Sequence, residues 1–148
     1  MSYALKSRIR NAALQDAALL GLLGTVSPAT LRWYDMQLLQ GATFPAMVVQ
    51  VISDPKVYAN AGRLRTSFAR VQFTAWADQT AGGASALGLI EQAMQTFLDG
   101  LNLVGIPGMV QYSNQIVGKR DGFYAQTQPA KFWLVLDVKM FWNDSISS

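Results

Sequence analysis

The side chains that most often carry out catalysis or bind metals are scarce in this chain of 148 residues. It contains no cysteine and no histidine, and its nine acidic residues are one glutamate, Glu91, and eight scattered aspartates. Without thiolates or imidazoles, a disulfide framework, a zinc or iron–sulfur site of the usual kind, and a Ser-His-Asp or Cys-His arrangement are excluded. Acid–base chemistry would have to use carboxylates, lysine or tyrosine. The sequence therefore predicts no catalytic residue, no metal site and no cofactor.

Two glycine-rich segments resemble phosphate-binding loops in composition but not in spacing. Residues 81–85 (Ala-Gly-Gly-Ala-Ser) precede a predicted helix, where backbone N–H groups can hold an anion, but the lysine and the spacing of a P-loop are absent. Residues 105–108 (Gly-Ile-Pro-Gly) lack the dinucleotide-binding fingerprint. We interpret both segments as turns.

The low charge of the chain is its most unusual property. Charged residues make up 14% of it, against about 25% in typical domains. The length predicts one domain, residues 1–148, with a full hydrophobic core but few charges to coat it. The longest uncharged stretches, 36–53 and 100–118, contain glutamine, asparagine and proline, so neither is a membrane-spanning helix. The net charge of +3 is spread over small basic clusters, which only weakly suggest nucleic-acid binding.

Two regions have helical periodicity. In the first, Ser2 is a candidate N-cap and apolar residues recur at helical spacing as far as Leu23, where Gly24 ends the pattern. Asp16 falls on the apolar face, so either it caps a second, short helix or it pairs with an arginine in one continuous helix. The second region runs from Gly83 to Asp99, with Gly100 at the C′ position.

Five segments have strand character, and they are 30–38, 44–54, 64–78, 109–117 and 130–143. The polar segments 55–63 and 119–129 are predicted to be exposed loops. The order of helix, three strands, helix and two strands favours an α+β fold. We expect an antiparallel or mixed β-sheet of about five strands with two main helices packed on one face.

The last strand shows an excess of apolar side chains over what one core needs. One of its faces is entirely apolar and should be covered by the helices, whereas the other carries Trp133, Val135 and Phe141 among charges. The third strand likewise places Phe68 and Trp76 opposite its core face. Since monomers rarely expose large apolar patches, this pattern favours a protein partner, most simply a second copy of the chain. The alternatives are a core extended under loops, or a surface on which nucleic-acid bases stack.

Four stretches resemble one family of structural proteins. They are Phe44–Pro55 (FPAMVVQVISDP), Leu14–Leu19 (LQDAAL), Gly62–Ala77 ending in VQFTAWA, and the Ala-rich helix that ends in Leu98-Asp99-Gly100. Their order and spacing over residues 5 to 100 are similar to those of the tail terminator proteins of long-tailed bacteriophages, also called tail completion or tail-to-head joining proteins. The segment after residue 100 matches only in its strand character.

This resemblance implies a structural virion protein without catalytic residues. Members form a six-subunit ring that caps the finished tail tube, stops polymerisation of the major tail tube protein and offers a surface to the head–tail connector protein. The implied location is the head-proximal end of the virion tail, after assembly in the host cytoplasm and without a membrane. Viral DNA passes through the lumen without specific recognition. Because a DNA conduit is usually lined by acidic or neutral groups, the basic residues are expected mainly on outer or interface surfaces.

The residues expected at contacts between subunits, or with the tube and connector, are aromatic, basic and apolar groups on the strands and in the two predicted loops. They are Lys56, Tyr58, Arg63, Arg65, Phe68, Trp76, Lys119, Arg120, Trp133, Val135 and Phe141. A ring requires a head-to-tail contact between two different patches of the same chain. The alternative functions are another ring-forming neck or tail-tube component, and a small nucleic-acid-binding α+β protein.

Overall fold

The computed structural model describes residues 2–25, 30–35, 44–53, 56–59, 62–79, 82–104, 106, 109–124 and 130–144. Within these ranges the chain forms three helices, α1 (Ser2–Leu14), α2 (Ala17–Leu23) and α3 (Gly83–Gly100). It also forms eight strands: β1 (Gly24–Thr25), β2 (Thr30–Leu31), β3 (Trp33–Asp35), β4 (Ala46–Ser53), β5 (Lys56–Ala59), β6 (Gly62–Asp78), β7 (Met109–Tyr124) and β8 (Lys131–Asp144).

The N-terminal helical region is broken at Asp16, and the alternative of one continuous helix is wrong. Asp16 has an extended backbone and its carboxylate accepts a hydrogen bond from the N–H of Leu19 at 3.0 Å, so it is the N-cap of α2. Gly24 is the C-cap, and its N–H donates to the carbonyl of Leu20. The helix α1 begins at Ser2 itself, so the prediction of Ser2 as an N-cap was one residue late.

The main sheet is mixed and has the strand order β3-β4-β6-β8-β7, with β5 paired to β6 beside this path. The pair β3–β4 is parallel and the other neighbours are antiparallel. The strands β1 and β2 form a separate two-stranded sheet. Contacts join α3 to β6 and β8, and α1 to β4, while α2 packs against both of these helices. The expected α+β fold, with helices packed on one face of a mixed sheet, is confirmed.

The core lies between the helices and the face of the sheet that they cover. On β8 this face is formed by alternate residues from Leu134 to Trp142, each at most 4% exposed. The indole of Trp33 sits edge-on against Phe73 and Phe97, with ring centroids 5.9 and 6.4 Å away. Such edge-to-face contacts add to the burial of the rings, so β3, β6 and α3 are joined at one point.

Both predicted loops contain strands. In segment 55–63, β5 pairs with the first residues of β6 as a hairpin, with Tyr58 opposite Arg63. In segment 119–129, residues 119–124 continue β7, whose pairing with β8 passes a bulge between Ile116 and Gly118. The loop predictions were wrong for residues 56–59, 62, 63 and 119–124, because backbone pairing to a long neighbouring strand outweighs the turn-favouring glycines and charges there. The other residues of the two predicted loops, 55, 60, 61 and 125–129, lie outside the described ranges.

Several helix and strand boundaries also differ slightly from the predictions. Gly100 is the last residue of α3 rather than its C′ residue, and Leu101 is the C-cap. Predicted strand 30–38 is split at Arg32 into β2 and β3, and its residues 36–38 lie outside the described ranges. Gly82 and Gly83 have φ values of 93° and 55° and form the turn into α3, as expected for that segment. Of the second glycine-rich segment, only Ile106 is described.

Candidate functional site

The face of the sheet opposite the helices carries a patterned set of side chains, which we call the open face. On β8 it consists of Lys131, Trp133, Val135, Asp137, Lys139 and Phe141. Strand register places Trp76 of β6 opposite Trp133, and Phe68 opposite Phe141. The open face therefore has two aromatic pairs at different heights, separated by the row that contains Gln72 and Asp137.

The Trp133 ring packs directly on the backbone of the neighbouring strand. A Cβ atom added at Gly122 of β7 would overlap this ring, lying 2.7 Å from Cε2. Only glycine lets an aromatic ring approach a strand this closely. Gly122 thus provides the seat for Trp133, and the indole is half-buried within its own subunit.

The second aromatic pair is covered by a cation. The Nζ atom of Lys139 lies 4.4 Å from the ring centroid of Phe68 and 5.1 Å from that of Phe141. A lysine over aromatic faces at these distances gains cation–π attraction while its methylene stem covers apolar surface. Both rings are half-buried as a result.

The centre of the open face is tightly packed and polar. The side-chain N–H of Gln72 donates to Asp137 at 3.1 Å, and the other Asp137 oxygen would lie 3.2 Å from a Cβ atom at Gly118. Val135 is only 7% exposed, so it contributes little accessible surface. The centre therefore separates the two aromatic pairs.

The eleven residues predicted to make contacts fall into three groups in the structure. Six share the open face, namely Phe68, Trp76, Arg120, Trp133, Val135 and Phe141. Lys56, Tyr58, Arg63 and Arg65 belong to the β5–β6 hairpin, and their side chains are outside the described part of the structure. Lys119 is separated from Arg120, because adjacent strand residues point to opposite faces and Lys119 faces α3.

Two polar contacts tie the edge strand β7 to α3. Lys119 Nζ lies 2.5 Å from Glu91 Oε1, and the hydrogen bond and charge of Glu91 raise the pKa of Lys119. Further along, the side-chain amide of Asn114 donates to the carbonyl of Leu98 and to the hydroxyl oxygen of Tyr112, both at 2.9 Å. Burial raises the pKa of Tyr112 to about 12, against a smaller lowering by the Asn114 hydrogen bond.

At the other edge of the sheet an ion pair also joins a strand to a helix, but the signs of the two charges are reversed. Lys6 of α1 contacts Asp35 of β3 at 3.0 Å, so the helix supplies the cation here and the strand supplies the anion. At the β7 edge the helix carries Glu91 and the strand carries Lys119. Sequence reasoning missed both pairs, because no spacing along the chain links their members; the single glutamate at Glu91 was the only available signal.

The most exposed large apolar side chain of the described residues is also at the β7 edge. Phe123 is 62% exposed and stacks on Phe132, with ring centroids 5.9 Å apart. It borders a groove of about 340 Å³ between α3 and β7, whose lining includes Glu91, Lys119 and Asp121. The sequence prediction missed Phe123 because it placed this segment in a loop.

The described ranges contain no cluster of three or more acidic side chains placed to bind a metal ion. Of the helices described, none combines the length and the apolar character needed to cross a bilayer.

Comparison with known proteins supplies the family. The structure of this chain is similar to a chain in the virion of a native gene transfer agent particle, with a TM-score of 0.54 over 91% of each chain and 14% identity, which shows a shared fold. No curated protein sequence matches the chain significantly. The sequence model of the family described as tail completion protein gp17 matches residues 7–134, which is most of the chain. The chain therefore belongs to the tail completion protein gp17 family.

Proposed function

We propose that this structural tail protein forms a ring, with six subunits as the expected number, that caps the tail tube. The observation that carries the proposal is the construction of the open face. It holds two half-buried aromatic pairs, around Trp133 and around Phe141, on a sheet whose helices all pack on the other side. A sheet face that is apolar in part and lies opposite the described helices favours contact with other protein surfaces.

In the proposed mechanism the ring acts by surface complementarity, without a chemical step. One side of the ring binds the last ring of the major tail tube protein and stops its polymerisation, and the opposite side binds the head–tail connector protein. The protein would then be located at the head-proximal end of the tail, and viral DNA would pass through the lumen without specific recognition. No catalytic residue or cofactor is part of this proposal.

The proposal is tested with the full chain and purified tube protein. We expect light scattering and negative-stain microscopy to show closed rings, alone or on tube ends. Adding the protein to polymerising tube protein should stop elongation at the capped end. Tubes that lengthen at the same rate with and without it would contradict the capping role.

Two alternative functions give different results in the same experiments. Another neck or tube component would form rings that stack along the tube or bind elsewhere without stopping elongation. A nucleic-acid-binding protein would stay monomeric at all concentrations and bind DNA with a steep salt dependence. Either result would contradict the proposed function and support the corresponding alternative.

A further inference from the structure

The two edges of the sheet carry opposite charges at the same position along the strands. Residues paired across successive strands form a row from Asp35 on β3 through Val49, Phe73 and Leu136 to Lys119 on β7. An anion therefore ends this row at one edge, and a cation ends it at the other. Both end residues lie on the helix side of the sheet, where each contacts a helix residue of the opposite charge.

From this arrangement we propose that, in the ring, the β7–α3 edge of one copy binds the β3–α1 edge of the next, with Lys119 facing Asp35 of the neighbouring copy. The proposal rests on the ring of the proposed function and names the contact that closes it. Side by side at the same height, the two copies would line up Glu91, Lys119, Asp35 and Lys6 as alternating negative and positive charges.

The exposure of the end residues suits a contact of this kind. The side chains of Lys119 and Asp35 are 50% and 58% exposed, so each retains accessible surface beside its own helix partner. Glu91 and Lys6 are more buried, at 19% and 23%, and hold the end residues in place. A network of four alternating charges gives orientation and register to a protein contact, whereas isolated surface pairs contribute little.

The next row on the helix side repeats the complementarity. It runs from Trp33 on β3 through Met47, Ala75 and Leu134 to the exposed Asp121 on β7. Beside Trp33, the groove at the β3 edge is lined by Arg10 as well as by Lys6 and Asp35. Asp121 of one copy would therefore approach Arg10 of the next.

The arrangement also meets the geometric requirement of a ring. A ring needs two different patches that bind head to tail, because a patch that binds itself gives only a closed pair. Two β7 edges face to face would bring Lys119 against Lys119, and two β3 edges would bring Asp35 against Asp35. In that register like charges disfavour both pairings, whereas the mixed pairing joins opposite charges in both rows.

The absence of cysteine makes this contact measurable by disulfide cross-linking. Residues 35 and 119 are four strand spacings apart, about 19 Å, whereas a disulfide needs Cα atoms within about 7 Å, so one chain cannot bridge them. We expect the variant with Asp35→Cys and Lys119→Cys to give, after oxidation, a ladder of linked copies in non-reducing electrophoresis. The control combines Lys119→Cys with Asp99→Cys, an exposed residue of α3 that belongs to neither charge row, and should give no ladder.

Charge reversal tests the same contact without a covalent link. Lys119→Glu alone and Asp35→Lys alone should each weaken ring formation by about tenfold or more, because every contact then joins like charges. Mixing the two variants in equal amounts should restore rings, since each altered edge finds its complement in the other variant. Repulsion created inside either subunit persists in the mixture, so rescue reports the contact between copies.

The outcomes separate this inference from the proposed function. If the wild type forms rings but the double-cysteine variant gives no ladder and the two charge-reversal variants show no rescue when mixed, the contact is overturned and the ring remains. A wild-type protein that forms no ring, alone or on tube ends, would overturn both.

Discussion

The two faces of the sheet shield their apolar side chains from water in different ways, and adjacent residues of β8 show the contrast. Trp142 points into the helices and is 2% exposed, whereas Phe141 points to the open face and is half-buried. On the covered face, three helices of the same chain exclude water. On the open face, the described residues place a lysine over Phe141 and a glycine under Trp133.

Because of this difference, we expect the covered face to determine the stability of the subunit and the open face to contribute to assembly. Side chains on the covered face are buried in each subunit, so their loss is felt in the free energy of unfolding. Side chains on the open face keep part of their surface accessible, so a partner can still gain by covering them. The predictions below test that division, beginning with the largest expected effect.

The strongest test replaces the two adjacent aromatic residues in turn. Trp142→Ala removes a fully buried side chain and should lower the free energy of unfolding by about 3 to 5 kcal/mol. Phe141→Ala should cost less than half as much, because its ring is half-buried and its surroundings can relax. Chemical denaturation followed by circular dichroism measures both, and equal losses would erase the distinction between the two faces.

Placing a charge on the open face should impair assembly while the protein still folds. Trp133→Asp or Phe141→Asp puts an unpaired carboxylate where a partner surface would cover it, and desolvating that charge is costly. We expect folded protein by circular dichroism and loss of rings in negative-stain images. Gln95→Asp, an equal change of charge on the exposed surface of α3, is the control and should assemble normally. Normal rings from both open-face variants would remove that face from the contacts.

A smaller loss of stability is expected from removing the N-cap at the break between α1 and α2. Asp16→Ala deletes the N-cap of α2 and should lower the free energy of unfolding by about 1 kcal/mol. The adjacent exposed residue makes no cap, so Gln15→Ala should change stability by less than about 0.5 kcal/mol. Equal losses in the two variants would mean that the Asp16 cap contributes nothing.

The smallest effect appears only at alkaline pH. Burial raises the pKa of Tyr112 from 10.0 to about 12, so the unfolded chain ionises this phenol before the folded protein does. The resulting stabilisation is complete below pH 10 and is lost as the pH rises from 10 to 12. Compared with Tyr112→Phe, the wild type should therefore lose stability between pH 9 and pH 11. Denaturation curves at both pH values measure this, and parallel losses in the two proteins would refute it.

Local patterns in the sequence predicted much of the fold. Period-two alternation located β6 and β8, a β-branched run located β4, and helical spacing located α3. The position of Asp16 on an apolar face raised the possibility of the helix break. Predictions failed where pairing partners are distant in sequence. Residues 119–124 have the composition of a loop but form a strand, because β8 offers its backbone along their length.

The candidate site was only partly predictable for the same reason. Alternation alone placed Trp133 and Phe141 opposite the core. It could not show that Lys139 covers Phe141, or that Gly122 supports Trp133, since these contacts depend on rotamers and on the register between strands. The bulge between Ile116 and Gly118 shifts the alternation of β7, and so decides that Lys119 faces the helices while Arg120 does not.

By itself, the sequence determined the class of fold, the two-sided apolar character of its last strand and the family to which the chain belongs, because periodicity and motif order are local properties. Tertiary structure alone decided which charges meet. Lys6 and Asp35, like Glu91 and Lys119, are paired by the order of strands in the sheet and by the helix that lies over each edge. The same strand order places an anion and a cation at opposite ends of one row, a relation that is set by register across five strands and has no trace in sequence spacing.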